Sequence, residues 1–202
     1  MAKMFCAIAL LLLHIFSAQC MVSTGRYGHG FIGYGINMYD PNCAYSCRAV
    51  ISDSALNCST YADMSGMTAM NATEMAAEGM TASTSAECYA TDDIFLQTLA
   101  YCLYIRCDDT VSIPGRESWW YANVAGRASD QPGPKWSYQE SLAKVTSPPT
   151  ETLVNGDPLN TTSMIYDSDY IQNWNAQQVF EKQEIIHERY GSVLPLFLVI
   201  NY

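Results

Sequence analysis

The residues of this chain best suited to chemistry are its thiols and thioethers. Cys43, Cys47, Cys58, Cys88, Cys102 and Cys107 fall within one stretch of 65 residues. An even number so closely grouped predicts three disulfides formed in an oxidising compartment. Zinc is the competing use of clustered thiolates. No Cys-x-x-Cys pair occurs, however, and only His29 and His187 lie beyond residue 20, which favours the disulfides.

Between Cys58 and Cys88 sit Met64, Met67, Met70, Met75 and Met80, five of the ten methionines. Thioether sulfur is a soft ligand suited to Cu(I), and spacings of three let neighbouring sulfurs converge on one ion. The same spacing also serves a helix that fills a core with methionine, and a loop of biased composition needs no ligand. Two carboxylate pairs, Asp92-Asp93 and Asp108-Asp109, could hold a hard cation, but they read more simply as a helix start and a loop. Asn57, Asn71 and Asn160 each open an Asn-x-Ser/Thr triplet, the acceptor signature for N-linked glycans. Gly28, Gly30 and Gly33 have the spacing of a dinucleotide loop. No strand precedes them and Asp40-Pro41 follows, so they are read as flexible or closely packed backbone. No nucleophile and base stand at a spacing that suggests a hydrolase.

These residues need elements to position them. Pro41 predicts the start of a helix running from Asn42 to about Leu56, which puts Cys43 and Cys47 on one face. A second helix is marked by Thr91 as cap, Asp92 and Asp93 in its first turn, and a stripe of Phe95, Leu99, Cys102 and Leu103. Two helices with sulfur on their buried faces suit a stapled hairpin. The pairing expected is Cys43 and Cys47 with Cys102 and Cys107, in either order, leaving Cys58 to Cys88. Further helices are expected over Glu117 to Ala128 and Trp136 to Val145, with one helical turn near Met70 to Ala77 and the longest helix from Ser168 or Asp169 to Tyr190.

Lys3, the apolar run Phe5 to Leu13, and the small residues Ser17 and Ala18 form the pattern of a secretory signal peptide, with cleavage expected after Cys20. An uncleaved anchor is the alternative. The chain has 202 residues with 10 Lys and Arg against 20 Asp and Glu. Such an acidic balance argues against nucleic acid as a partner, because binding a polyanion requires clustered cations. Residues 193–200 are almost wholly apolar but too few to span a bilayer, which needs about 20 residues. They read as the start of a membrane segment or as a terminal core strand. The expected organisation is a signal peptide over 1–20, a cysteine-rich helical ectodomain over 21–150 with a Met-rich loop at 59–87, a linker and juxtamembrane helix over 151–191, and an apolar segment over 192–202. The fold class expected is mainly α, a small disulfide-stapled extracellular domain followed by a long helix.

Four segments carry a resemblance: Gly33 to Arg48, which contains Tyr39-Asp40-Pro41-Asn42-Cys43; Cys88 to Cys102; Pro134 to Glu140; and Glu188-Arg189-Tyr190-Gly191. Together they resemble the N-terminal extracellular region of the fungal ferric/cupric reductases, plasma-membrane flavocytochromes. The resemblance implies a truncated ectodomain of a protein that passes electrons from NADPH through FAD and haem to ferric or cupric ions outside the cell. It implies membrane association and iron or copper as ligands. Haem ligation requires paired histidines on membrane helices, and flavin and nucleotide need domains of their own. No such residues can be assigned here, so no catalytic or cofactor-binding residue is carried over. The alternative is a secreted or surface-attached cysteine-rich binding module, with Cu(I) held by the Met-rich loop. An acidic surface draws cations such as Cu2+ within about 10 Å and repels anionic ferric chelates.

Overall fold

The computed structural model describes residues 39–61, 82–126 and 130–191. The expected signal peptide, the glycine repeat up to Gly35, the helical turn near Met70 to Ala77 and the apolar run 193–200 lie outside these residues.

Helix α1 spans Asn42–Ser52. Pro41 is extended at its N-cap, and its carbonyl accepts from Ala44 N at 3.0 Å and Tyr45 N at 3.3 Å. The helix stops short of Leu56 because Ser52, Asp53 and Ser54 are residues that bond locally to backbone. Ser52 Oγ donates to Ala49 O (2.8 Å), and Ser54 N donates to Ile51 O (3.1 Å). A two-residue strand β1 (Thr60–Tyr61) pairs antiparallel with β2 (Ala82–Ser83).

Helix α2 (Ala86–Thr91) leads directly into α3 (Asp93–Cys107). Thr91 is not the cap of the second helix. It closes α2, with its hydroxyl donating to Glu87 O (2.7 Å), and Asp92 caps α3 by accepting from Phe95 N at 2.8 Å. The expected stripe of Phe95, Leu99, Cys102 and Leu103 is buried.

The staples link Cys43 to Cys107 and Cys47 to Cys102, with Cα separations of 5.7 and 5.9 Å. The first cysteine of α1 meets the last of α3, so the two helices run antiparallel. Cys58 joins Cys88. All six thiols are therefore paired as expected, and helix direction fixes the order that spacing left open.

Helix α4 (Ile113–Asn123) begins four residues before Glu117, because Ser112 caps it by accepting from Gly115 N (3.3 Å) and Pro114 suits the first turn. Helix α5 spans Tyr138–Ala143. Strands β3 (Glu151–Leu153) and β4 (Ser163–Ile165) pair in parallel, with Leu153 opposite Ile165. Helix α6 covers Asp167–Gly191.

Helix α1 lies between α3 and α6, which explains why five consecutive residues, Cys43 to Cys47, are buried. Ala44 and Ser46 are small enough to let the neighbouring helices approach. Leu153, Leu159, Ile165 and Tyr170 join the same core as Val50, Phe95, Leu99 and Trp120. The stretch after residue 150 is thus core-forming rather than a simple linker. Among the described residues the protein is mostly helical, and no helix there is long and apolar enough to cross a membrane.

Candidate functional site

The residues on either side of the Met-rich segment meet at a single place. Thr60 is opposite Ser83 and Tyr61 opposite Ala82, while two residues before β1 the Cys58–Cys88 disulfide joins the strand to α2. Side chains reinforce this neck. Ser59 Oγ accepts from Leu56 N (2.8 Å) and lies 2.6 Å from the Thr84 hydroxyl. Ser85 caps α2 by accepting from Cys88 N (3.2 Å), which fixes the turn carrying the second cysteine. The sulfur of Cys58 is 3.8 Å from Asp92 Oδ2. Cys58 is exposed and Cys88 buried, in contrast to the four cysteines of the other staples, which are all buried.

Met64, Met67, Met70, Met75 and Met80, the expected Cu(I) ligands, lie outside the described residues, as does Asn71. Asn57 and Asn160 are both exposed on loops. Three of these four carboxylates are engaged within the protein. Asp92 caps α3, and Asp93 accepts from Lys135 Nζ and Trp136 Nε1, both at 2.9 Å. These two donors, the Lys135 bond first, hold the Asp93 carboxyl below its ordinary value of 3.8. Asp108 is paired with Arg116 at 3.0 Å. Among the described residues no group of three or more His, Cys, Asp or Glu is arranged to hold a metal ion.

The most developed polar network is one that the sequence reading missed. Arg116, 4% exposed, donates to the Tyr138 hydroxyl and to Asp108 Oδ1, both at 3.0 Å. Burial raises the Tyr138 hydroxyl above its ordinary value of 10.0, with Arg116 opposing the shift. Glu117 reaches from α4 to accept from Tyr138 N (3.0 Å) and Gln139 N (2.9 Å), satisfying the open N–H groups at the start of α5. Ser137 and Glu140 complete a capping box there, and the Ser137 backbone bond to Glu140 lowers that carboxyl below 4.5. Trp120 Nε1 donates to Trp136 O (2.8 Å). Lys144 Nζ sits 3.9 Å from the Trp136 ring centroid and Lys135 Nζ 5.3 Å from it. The Ser-x-x-Glu spacing at 137–140 was a readable sign of this helix start. The Arg116 and Glu117 contacts, which come from a different helix, had no local signature.

Chemically, the network is a fastening between α4 and α5: every charge in it faces a partner within the protein. The neck is different. It presents an exposed sulfur, two exposed sequon asparagines nearby and the joined ends of a thioether-rich segment. No protein-family model, curated protein or solved structure matches the chain.

Proposed function

We propose that this chain is the outer, membrane-proximal portion of a ferric- or cupric-chelate reductase-like membrane protein, a non-catalytic module beside a redox core that would carry the haem, FAD and NADPH sites. The observation that supports this reading best is the course of α6. It runs antiparallel to α1: near one end Asn155 N donates to Asp169 Oδ2 at 2.8 Å and the Asn155 side-chain amide, turned so that its nitrogen donates, lies 3.2 Å from Val50 O, and near the other end Asn42 is bonded to Glu181. It then continues to Gly191, about 15 Å beyond that contact at 1.5 Å per residue. A stapled body joined to one long helix, whose described side chains past Glu181 are exposed and which leads toward apolar residues, suits a module standing above a bilayer. Three disulfides are compatible with the secretory or extracellular location this requires.

Three of the four segments that carry the resemblance contribute to the body. Cys43 and Cys47 lie in one, Cys88 and Cys102 in another, and the segment Pro134 to Glu140 binds Ala90 O through Lys135 N at 2.8 Å. The test uses the complete open reading frame, expressed in cells stripped of their own surface reductases. Restored reduction of ferric or cupric chelates, read with a ferrous- or cuprous-specific dye, is expected. Reduction that stays at background overturns the reading.

A second reading, a Cu(I)-binding module, is favoured by the neck. Bringing together the ends of a free loop of about 20 residues costs about 2 to 3 kcal/mol in chain entropy. The Cys58–Cys88 bond and the β1–β2 ladder have already met that cost, so ligands drawn from 62–81 would not bear it. Titration of the purified chain with Cu(I) under a competing chelator is expected to show binding that Met→Leu changes at 64, 67 and 70 abolish. Equal affinity in the variant sinks this reading.

A further inference from the structure

Asn57 and Asn160 are 103 positions apart in sequence, yet the fold brings them to one edge. Leu159 N donates to Ala55 O at 2.9 Å, a backbone bond between the turn after α1 and the loop before β4. Asn57 is two residues from one end of that bond and Asn160 one residue from the other. Their Cα atoms are therefore at most roughly 16 Å apart, allowing about 3.5 Å per residue and ~5 Å across the bond. Both asparagines are exposed, and Asn57 adjoins Cys58, the only exposed cysteine among the described residues.

We propose that Asn57 and Asn160 both carry N-linked glycans, and that the pair covers this edge and shields the Cys58–Cys88 disulfide from thiol attack. This rests on passage through the secretory route, as the function proposed above requires. In the transfer, the asparagine amide nitrogen bonds to the anomeric carbon of a polyprenyl-diphosphate oligosaccharide. The anomeric C–O bond breaks, the lipid diphosphate leaves, and the amide proton passes to a base of the transferase. In the folded chain both sequon hydroxyls are engaged, Ser59 with Leu56 N and Thr84, and Thr162 with Gln97 Oε1 at 3.0 Å. A transferase must hold that hydroxyl residue itself, which places the transfer before these bonds form.

The shielding follows from how disulfides exchange. A thiolate must approach one sulfur along the S–S axis, so access sets the rate. Four cysteines are protected by burial. Cys58 is exposed, and bulky hydrated glycans on the neighbouring asparagines cover it.

The test expresses the full chain in eukaryotic cells behind an unrelated leader, so entry to the pathway does not depend on residues 1–20. Export by the native leader is scored separately and bears on the function proposed above. Peptide mapping after enzymatic deglycosylation in 18O water is expected to show labelled aspartate at positions 57 and 160. Each cysteine is then followed by timed alkylation under limiting dithiol. Trimming the glycans is expected to speed reduction of Cys58–Cys88 about fivefold or more while the other two bonds keep their rates. Trimming the N57Q/N160Q double variant is expected to change nothing, which separates this effect from any glycan at Asn71. An unmodified asparagine at 57 or 160, or a Cys58–Cys88 rate indifferent to trimming, overturns the proposal.

Discussion

Tyr138 shows how much can depend on one hydroxyl. Its oxygen accepts from Arg116, a guanidinium 4% exposed whose other tie is to Asp108. Tyr138→Phe keeps the ring against Trp120 but leaves one Arg116 N–H without its acceptor. A buried donor stripped of its partner costs about 1–3 kcal/mol, and a fall of that size in urea-unfolding free energy is expected. Titration supplies a second prediction at this scale. Asp93 and Glu140 both have folded pKa values below their ordinary ones, 3.8 and 4.5. The unfolded chain then binds more protons than the folded one as pH falls through that range, so the stability these groups supply is present above it and lost below. Asp93 is half exposed, so its share is under about 1 kcal/mol. The slope of unfolding free energy against pH between 5 and 3 is expected to flatten in Asp93→Asn, and an unchanged slope would refute the role of the Lys135 and Trp136 bonds.

Among the elements, the three staples are unequal in where they act. Each taken alone closes a loop of 30 to 64 residues, worth about 4 kcal/mol of denatured-chain entropy. Cys47→Ala with Cys102→Ala also empties two buried positions between α1 and α3, whereas Cys58→Ala with Cys88→Ala empties one buried position, at the neck. Thermal unfolding is therefore expected to show the larger loss for the 47/102 pair, and an equal loss would mean that core packing adds nothing to the staple. Much of this level was legible in sequence. The i, i+4 cysteines of α1 and the apolar stripe of α3 gave the hairpin, because a helix face is set by local periodicity. Thr91 misled as a cap because two helices abut there, and residue type alone cannot say that Asp92 ends one and starts the next. The β3–β4 pair was not legible at all. Its strands are three residues each, too short for alternation to show, and what selects them is burial of Leu153 and Ile165 against a core built elsewhere. The Arg116 and Glu117 contacts escaped for the same reason, since their meaning lies in a partner 21 or 22 residues away.

For the whole molecule, α6 divides into a part packed on the core and a stretch past Glu181 whose described side chains, Lys182, Gln183 and Ile186, are exposed. Tyr170 is buried under the Arg106 guanidinium, Trp174 packs on the core cluster, and Phe180 stacks on Tyr39 at 5.4 Å between ring centroids. Lys182 and Gln183, just past the Asn42–Glu181 contact, are exposed. Removing residues 183–202 should therefore leave urea-unfolding free energy within about 0.5 kcal/mol, the range of changes away from packed features. Removing residues 167–202 strips Tyr170 from the core and the half-buried Trp174 from its edge, where a fully buried aromatic alone is worth about 3–5 kcal/mol, and is expected to abolish a cooperative transition. If the shorter truncation were as damaging as the longer, the end of α6 would be packed against the body and could not serve as the stalk that the membrane-proximal reading needs. If both truncations were harmless, the core would end at β4 and α6 would be an accessory. The stalk reading survives only the asymmetric result, which makes the pair of truncations a test of the molecule's architecture that needs no knowledge of its ligand.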